Sequence, residues 1–222
     1  MPEKTFDLLV VGGGPAGYVA AIRGSQLGMR VACIEEEKLG GVCLNVGCIP
    51  TKALLSSALL VNECQSAASH GISFDNFSSD LSPAQRRSRA IAEKLANGVS
   101  HLFKKNKITH ITGRGRLSGD GSVEVTSGDG EKETYAAAHV LLATGSRPRD
   151  IPVLPIDESA IWSSTGALFQ ETAPASLAVV GAGAVGMEFA DIYNAYGSKV
   201  TVIEALERIL PIEDADSSAA LQ

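Results

Sequence analysis

Short apolar runs closed by glycine alternate with segments of helical period along most of this 222-residue chain. Phe6 to Val11 is apolar almost throughout and stops at Gly12, the pattern of a short strand buried on both faces. A helix is predicted from about Ala16 to Leu27, with Val19, Ala20, Ile22 and Leu27 available for its buried face and Gly28 as its stop. Met29 to Ile34 reads as a second strand with Glu35 at its end. Lys52 to Cys64 is again helical through Leu54, Leu55, Ala58, Leu59 and Val61, and polar Ser69 to Ser82 predicts a loop. A helix start follows, with Ser82 as cap, Pro83 in the first turn and Gln85 three residues after the cap. That helix is expected to reach Lys105, with Ile91, Leu95, Val99, Leu102 and Phe103 at helical spacing. Arg86, Arg87 and Arg89 at its start and Lys104, Lys105 and Lys107 at its end fit solvated faces, the second group favourable to the helix dipole.

From Ile108 to Thr144 the period changes to that of strands. Ile108–Thr112, Arg114–Leu117, Val123–Val125 and Thr134–Leu142 are separated by turn signals at Gly119-Asp120-Gly121 and Gly128-Asp129-Gly130. This predicts an antiparallel meander at the edge of a parallel sheet, returning through Val140-Leu141-Leu142 to Ala143-Thr144-Gly145-Ser146. Arg147 to Ser164, with Pro148, Pro152 and Pro155, reads as a linker, and a domain boundary is placed near Asp150. The opening theme then recurs. Leu177–Val180 is a strand, a helix runs to about Tyr196, and Lys199–Ile203 is a strand ending at Glu204.

Both copies carry the same loop. Gly12, Gly14 and Gly17, with Pro15 and Ala16 between them, satisfy Gly-x-Gly-x-x-Gly, as do Gly181, Gly183 and Gly186 around Ala184 and Val185. The first glycine allows the tight turn, the second lets a pyrophosphate approach the backbone, and the third permits close helix–strand packing. The helix N-terminus offers free N–H groups and partial positive charge to the phosphates. An acid about twenty residues on can accept hydrogen bonds from a ribose diol: Glu35, with Glu36 able to share the role, and Glu204. The fold class expected is α/β. Residues 1–150 would form one Rossmann-like dinucleotide-binding domain, and 151–222 the first part of a second. With no arginine directly after Glu204, NAD is expected rather than NADP, because the acid repels a 2′-phosphate.

A formal charge of −6 lacks the basic footprint of a nucleic-acid binder. The apolar run Phe6–Ala20 is too short and glycine-rich for a membrane span, and no basic leader or cleavage site precedes it. A cytosolic location without membrane attachment is therefore expected, and the four cysteines do not form a secreted disulfide framework. Cys33, in an apolar strand, and Cys64, at a helix end, read as structural.

Cys43 and Cys48 are different. They lie five positions apart, behind Gly40-Gly41 and ahead of Pro50-Thr51-Lys52. A zinc site wants four ligands with tighter spacing, which Cys33 and Cys64 do not complete. A redox pair fits better, and a kinked turn could bring the sulfurs together. The stretch Cys43-Leu44-Asn45-Val46-Gly47-Cys48-Ile49-Pro50-Thr51-Lys52 closely resembles the redox-disulfide motif of the flavoprotein disulfide reductases, and its wording is most similar to their lipoamide-oxidising members.

The resemblance makes 1–150 an FAD-binding domain and 151–222 the first part of an NAD-binding domain, and it implies the rest of a site. Gly41, Val42, Gly115, Ala143, Thr144, Gly145 and Ser146 would contact the flavin dinucleotide. Cys43 would exchange with a substrate dithiol and Cys48 would face the flavin as a charge-transfer thiolate. Lys52 would lie near the flavin ring and pair with Glu188. The function implied is oxidation of dihydrolipoamide, with electrons passing through disulfide and FAD to NAD⁺. The partners implied are the lipoyl domain of a 2-oxo-acid dehydrogenase complex and, in a full-length form, a second copy as homodimer. Small Ala184 speaks against glutathione as substrate. Another reductase of the family (mercuric or glutathione) and a non-catalytic dinucleotide-binding fragment are the alternatives. By the same resemblance, the later part of the NAD domain, a segment completing the FAD site and a C-terminal dimerisation domain with its His–Glu acid–base pair are expected to lie outside this chain. His70, His101, His110 and His139 sit in no motif that would replace that pair.

Overall fold

The computed structural model describes residues 4–119 and 121–222, so Asp120 of the Gly119-Asp120-Gly121 turn lies outside the described residues. The fold is α/β, and the chain divides into two compact units. One comprises Met1–Cys48 and Ala92–Arg147, the other Ile49–Ile91 and Pro148–Gln222. The division interleaves the sequence.

The first unit is built on a six-stranded sheet of order β3-β2-β1-β6-β5-β4. Strands β1 (Thr5–Val11), β2 (Val31–Glu35) and β3 (Thr109–Thr112) run parallel, and β4 (Arg114–Leu117), β5 (Ser122–Thr126) and β6 (Lys132–Leu142) form the antiparallel meander. The meander is joined to the parallel part by one long strand. In its second half β6 pairs parallel with β1, Val10 opposite Leu141 and Val11 opposite Leu142, while its first half pairs antiparallel with β5. Alternate side chains of the two parts meet in a core of Phe6, Leu9, Val11, Ala32, Ile34, Val123, Val125 and Tyr135. Burial and the Glu133 carboxylate that accepts its hydroxyl proton push the Tyr135 phenol up to about 12.

Helix α1 (Pro15–Gln26) connects β1 to β2, but not through the predicted face. Gly17, Ala21 and Gly24 are its buried residues, whereas Val19 and Leu27 are exposed. Small residues one turn apart let the helix lie close on the sheet. A Cβ at Gly24 would press on Leu8 Cδ2 at 2.9 Å and Val31 Cγ2 at 3.3 Å. Size, not hydropathy, chose the face.

Helix α4 (Leu81–Lys105) begins one residue before the predicted cap. Asp80 Oδ1 accepts from Ser82 N at 3.0 Å, so the aspartate caps the helix and Ser82 lies inside its first turn. Ala92, Val99 and Phe103 are buried, while Leu95 and Leu102 of the predicted stripe are exposed. The first two residues of the predicted 69–82 loop, Ser69 and His70, belong to a 3₁₀ turn at Ala67–His70.

In the second unit, parallel strands β7 (Ser176–Val180) and β8 (Lys199–Ile203) flank α6 (Ala184–Ala195). A short helix α5 (Ser164–Leu168), which the sequence reading left in and beyond the linker, is capped by Ser163 Oγ. Tyr193, Ile192 and Leu168 are fully buried, and Tyr193 donates to the Ala167 carbonyl at 2.8 Å. Gln85 Nε2 reaches the Leu168 carbonyl at 3.3 Å and Arg87 Nη1 the Ala53 carbonyl at 3.0 Å, binding the helices of this unit. Helix α7 (Ala215–Leu221) starts at an Asp214 cap.

Helices α2 (Gly41–Val46) and α3 (Cys48–Ser66) meet at Gly47. The stretch Gly41–His70 contains an 18-residue window of mean hydropathy 1.5, long and apolar enough by length and composition to cross a membrane. It is broken at Gly47, whose φ of −144° and ψ of −118° interrupt the helix.

Leu9 is wholly buried at the centre of the first unit's core. Leu9→Ala is expected to cost about 2–5 kcal/mol, read as a lower urea midpoint in circular dichroism.

Candidate active site: two dinucleotide cradles and a disulfide

The two glycine loops adopt the same geometry for the same reasons. Gly12 and Gly181 turn with φ of 108° and 101°. A Cβ on Gly17 would overlap the Gly12 carbonyl, and one on Gly186 the Gly181 carbonyl. At the second glycine the chain leaves room. A Cβ at Gly183 would meet nothing within 4 Å, and one at Gly14 only the Cα of Gly41 at 3.8 Å. That bare surface is where a phosphate can approach the backbone. Both glycines stand at helix N-caps with no side-chain cap, so the first-turn N–H groups of α1 and α6 remain available to an anion. Pro15, Ala16, Ala184 and Val185 occupy those first turns, exposed.

The acids are duplicated with equal fidelity. Glu35 Oε2 accepts from Gly13 N at 2.6 Å and Glu204 Oε2 accepts from Ala182 N at 2.8 Å, each 22 residues from its donor. Their other oxygens accept from the chain just beyond the strand: Glu37 N at 2.9 Å in the first copy, Ala205 N and Leu206 N in the second. A carboxylate has about four acceptor sites, so each acid holds its glycine loop while keeping capacity for a ribose hydroxyl. These backbone bonds hold the Glu204 carboxyl below the usual glutamate value.

Beside the first loop lies a cavity of about 460 Å³, lined by Val11, Gly12, Ile34, Glu35, Glu36, Gly113, Arg114, Gly115, Thr144 and Arg147. Thus Gly12, Glu35, Glu36, Gly115 and Thr144, expected to serve one cofactor, share one wall. Gly115 is small by necessity, since a Cβ there would press on Val11, Val123 and Ile34. Ala143 supplies the carbonyl against which Gly12 packs. Gly145, with φ of 68°, and exposed Ser146 continue the same strand exit. Sequence reasoning missed Arg147, which it assigned to the linker. Its Nη2 lies 3.3 Å from Glu36 Oε2, at the wall of the cavity. It also missed Gly113 and Arg114, although Gly113, with φ of 149°, carried a glycine signal. Burial, with Glu35 nearby, pushes the Cys33 thiol up to about 12, in keeping with a structural cysteine.

The structure joins Cys43 and Cys48 as a disulfide, with Cα atoms 4.6 Å apart. Cys43 lies in the first turn of α2, Cys48 is the first residue of α3, and the break at Gly47 lets the chain turn back so that the two sulfurs meet. The turn entering α2 rests directly on the first glycine loop. Gly40 N donates to the Gly13 carbonyl at 2.8 Å, and a Cβ on Gly41 would meet the Gly14 Cα at 2.6 Å. Val42, next along, is exposed. Cys48 stands at the positive end of a 19-residue helix, and Cys43 at that of a six-residue one. The stronger field favours the thiolate at Cys48. Free Cys33 is buried and Cys64 half-buried. Among the described residues no cluster of histidine, cysteine and acidic side chains could hold a metal ion.

In the second unit Lys52 Nζ lies 2.5 Å from Glu188 Oε1. Helical period places Lys52 one turn past Cys48 on α3, and Glu188 is in the second turn of α6. An exposed ion pair of this kind contributes only about 0–1 kcal/mol, so its significance is positional rather than energetic.

Two dinucleotide cradles, with a disulfide seated on the first, define a dinucleotide-binding thiol–disulfide protein. The comparisons with known proteins agree. A family model described as pyridine nucleotide-disulphide oxidoreductase matches residues 6–222, and the chain belongs to that family. It is 45% identical to dihydrolipoyl dehydrogenase of Zymomonas mobilis over 96% of this chain and 46% of that protein. With dihydrolipoyl dehydrogenase of Bacillus subtilis it shares 43% identity, over 98% of this chain and 48% of the other. Its fold matches the crystal structure of LpdA from Mycobacterium tuberculosis with a TM-score of 0.85 at 29% identity, covering 96% of this chain and 48% of that one. The chain spans about half the length of the curated relatives it matches.

The depressed Glu204 carboxyl has a signed consequence. Its bonds to Ala182, Ala205 and Leu206 contribute fully above the ordinary value of 4.5 and are lost as pH falls through the lower folded value. In an NMR titration from about pH 7 to pH 3 the Ala182 amide resonance is expected to move with a midpoint below 4.5, and Glu204→Gln to abolish that transition.

Proposed function

We propose that the full-length protein oxidises protein-bound dihydrolipoamide to lipoamide, with FAD in the first cradle and NAD⁺ in the second as electron acceptor. The observation that carries this reading is the Cys43–Cys48 disulfide, whose helix entry packs backbone to backbone on the first glycine loop. The relatives named dihydrolipoyl dehydrogenase support the choice of substrate. The first cradle fits the flavin dinucleotide: bare Gly14 and the open start of α1 suit the pyrophosphate, and Glu35 at the cavity wall suits the ribose. In the second, bare Gly183 and Glu204 suit NAD⁺.

The protein's own chemistry is thiol–disulfide exchange. A substrate thiolate attacks Cys43 Sγ, the Cys43–Cys48 bond breaks, and Cys48 leaves as a thiolate stabilised at the α3 N-terminus. The second substrate thiol displaces Cys43. Cys43 takes up a proton as it leaves and the substrate departs as a disulfide, so that two electrons and one proton have passed to the cysteine pair and the second proton to solvent. Bound flavin supplies the chemistry that relays those electrons to the nicotinamide. Lys52, held by Glu188, keeps a positive charge one helical turn from Cys48. Glu35 and Glu204 orient the two glycine loops.

We assign the same protein a lipoyl domain of a 2-oxo-acid dehydrogenase complex as partner, a homodimeric full-length form and a cytosolic location without membrane attachment. The relatives named dihydrolipoyl dehydrogenase support the partner, and the break at Gly47 within the one long apolar helical stretch among the described residues speaks against a membrane span.

The test is a visible spectrum of the protein with FAD before and after limited reduction by a dithiol. A bound flavin that gains a long-wavelength band on reduction is expected, with the band lost in Cys48→Ser and retained in Cys43→Ser. The reverse pattern would exchange the two cysteine roles. In the full-length protein, dihydrolipoamide is expected to reduce NAD⁺, and glutathione not to serve; activity with glutathione instead would overturn the substrate assignment.

A further inference from the structure

Between the two cysteines stands a side chain that neither the exchange chemistry nor the cradles use. Asn45 Nδ2 lies 2.9 Å from the Gly41 carbonyl, 3.1 Å from the Leu39 carbonyl and 3.5 Å from the Lys38 carbonyl. The amide has two hydrogens to give, so Gly41 and Leu39 are its main acceptors and Lys38 is marginal. These carbonyls belong to the turn that leads into α2, where Gly40 and Gly41 take φ of 100° and 57°. Two consecutive glycines in that region are costly to order, because each has much backbone freedom to lose. The turn is also held by the bonds from Gly40 N to the Gly13 carbonyl and from Gly41 N to the Lys38 carbonyl at 3.2 Å.

Helix α2 has six residues, far fewer than a helix needs to persist alone in water. While the disulfide is closed, the S–S bond ties Cys43 to the start of α3. Once it opens, that tie is gone, and α2 is held by buried Leu44 and by the noncovalent bonds at its entry.

We propose that Asn45 is the positioning residue of the redox pair. Its amide holds α2 against the Lys38–Gly41 turn in the dithiol state, so that Cys43 Sγ stays within reach of Cys48 Sγ and the bond re-forms. Asn45 acts on the equilibrium through the backbone around Cys43, not by contact with a reacting atom. The inference rests on the redox role proposed above.

The test uses the 222-residue chain equilibrated with reduced and oxidised dithiothreitol. In that reaction Cys43–Cys48 gains two electrons and two protons, and dithiothreitol, losing them, closes its own disulfide. Asn45→Asp keeps the size but replaces the donor with a carboxylate facing carbonyl oxygens. It is expected to shift the equilibrium about tenfold toward the dithiol, a potential about 30 mV higher. Protonation gives the introduced carboxyl a donor again, so the offset from wild type, compared at equal pH, is expected to shrink in acid. A change that merely loosened the fold would not reverse in this way. Asn45→Ser, too short to reach both carbonyls, should shift the equilibrium in the same direction and covers the case in which the aspartate variant does not fold.

A shift smaller than about twofold in a folded variant, or an offset of the aspartate variant unchanged in acid, overturns the assignment of Asn45. A wild-type disulfide that does not exchange with dithiothreitol overturns the redox function itself and this inference with it. Normal wild-type exchange with unaffected variants overturns this inference alone.

Discussion

Three stretches of backbone meet around Gly12 and Gly14 at distances that no side chain would allow. The Gly12 turn packs on the carbonyl of Ala143 at the end of β6, the third glycine packs on the Gly12 carbonyl, and Gly41 packs on Gly14. Each contact removes space for a Cβ, and two of the three join segments far apart in sequence. The parallel sheet, the exit of the meander and the entry to the disulfide are therefore fixed to one another through a single loop. Were Gly12, Gly17 or Gly41 larger, the contact it makes would have to open, and for Gly41 that contact is the one between the cradle and the disulfide.

The hydrogen bonds follow the same loop. Glu35 accepts from Gly13 N, the Gly13 carbonyl accepts from Gly40 N, and Asn45 holds the carbonyl of Gly41. Unbroken protein contacts thus lead from Glu35 to the turn that enters the disulfide. The second unit repeats the first half of this arrangement in Glu204 and Ala182, with the same 22-residue separation, but no disulfide is attached to it. The comparison of the two copies separates what a dinucleotide cradle needs from what the first copy adds. An acid tied to the loop is common to both, and the glycine-on-glycine contact that seats a helix carrying a cysteine belongs to the first.

Local patterning went a long way because the signals were short in range. Strand β1, its glycine stop and the acid that ends β2 lie within about thirty residues, the size of one βαβ unit, and the repeat at Leu177 doubled the signal. Where long-range packing decides, the pattern misled. The buried face of α1 is Gly17, Ala21 and Gly24, because close approach to Leu8 and Val31 outweighs the hydropathy of Val19 and Leu27. The cap of α4 is Asp80 rather than Ser82, since two good capping residues stood two positions apart and only the fold of the chain could choose between them.

The sequence by itself determined that this is an α/β chain with two dinucleotide motifs and a spaced cysteine pair, since glycine spacing, apolar runs and terminal acids are local requirements of backbone geometry and charge. Only the tertiary structure decided which segments those motifs touch. Arg147, placed in a linker by its prolines, stands across from Glu36, 111 residues away, on a cavity wall. Asn45, one polar residue among many, takes its significance from carbonyls whose direction depends on two left-handed glycines. A sequence records which side chains exist and how far apart they lie along the chain. The direction of a carbonyl, and the residue that meets it, is settled only when the backbone has closed around it.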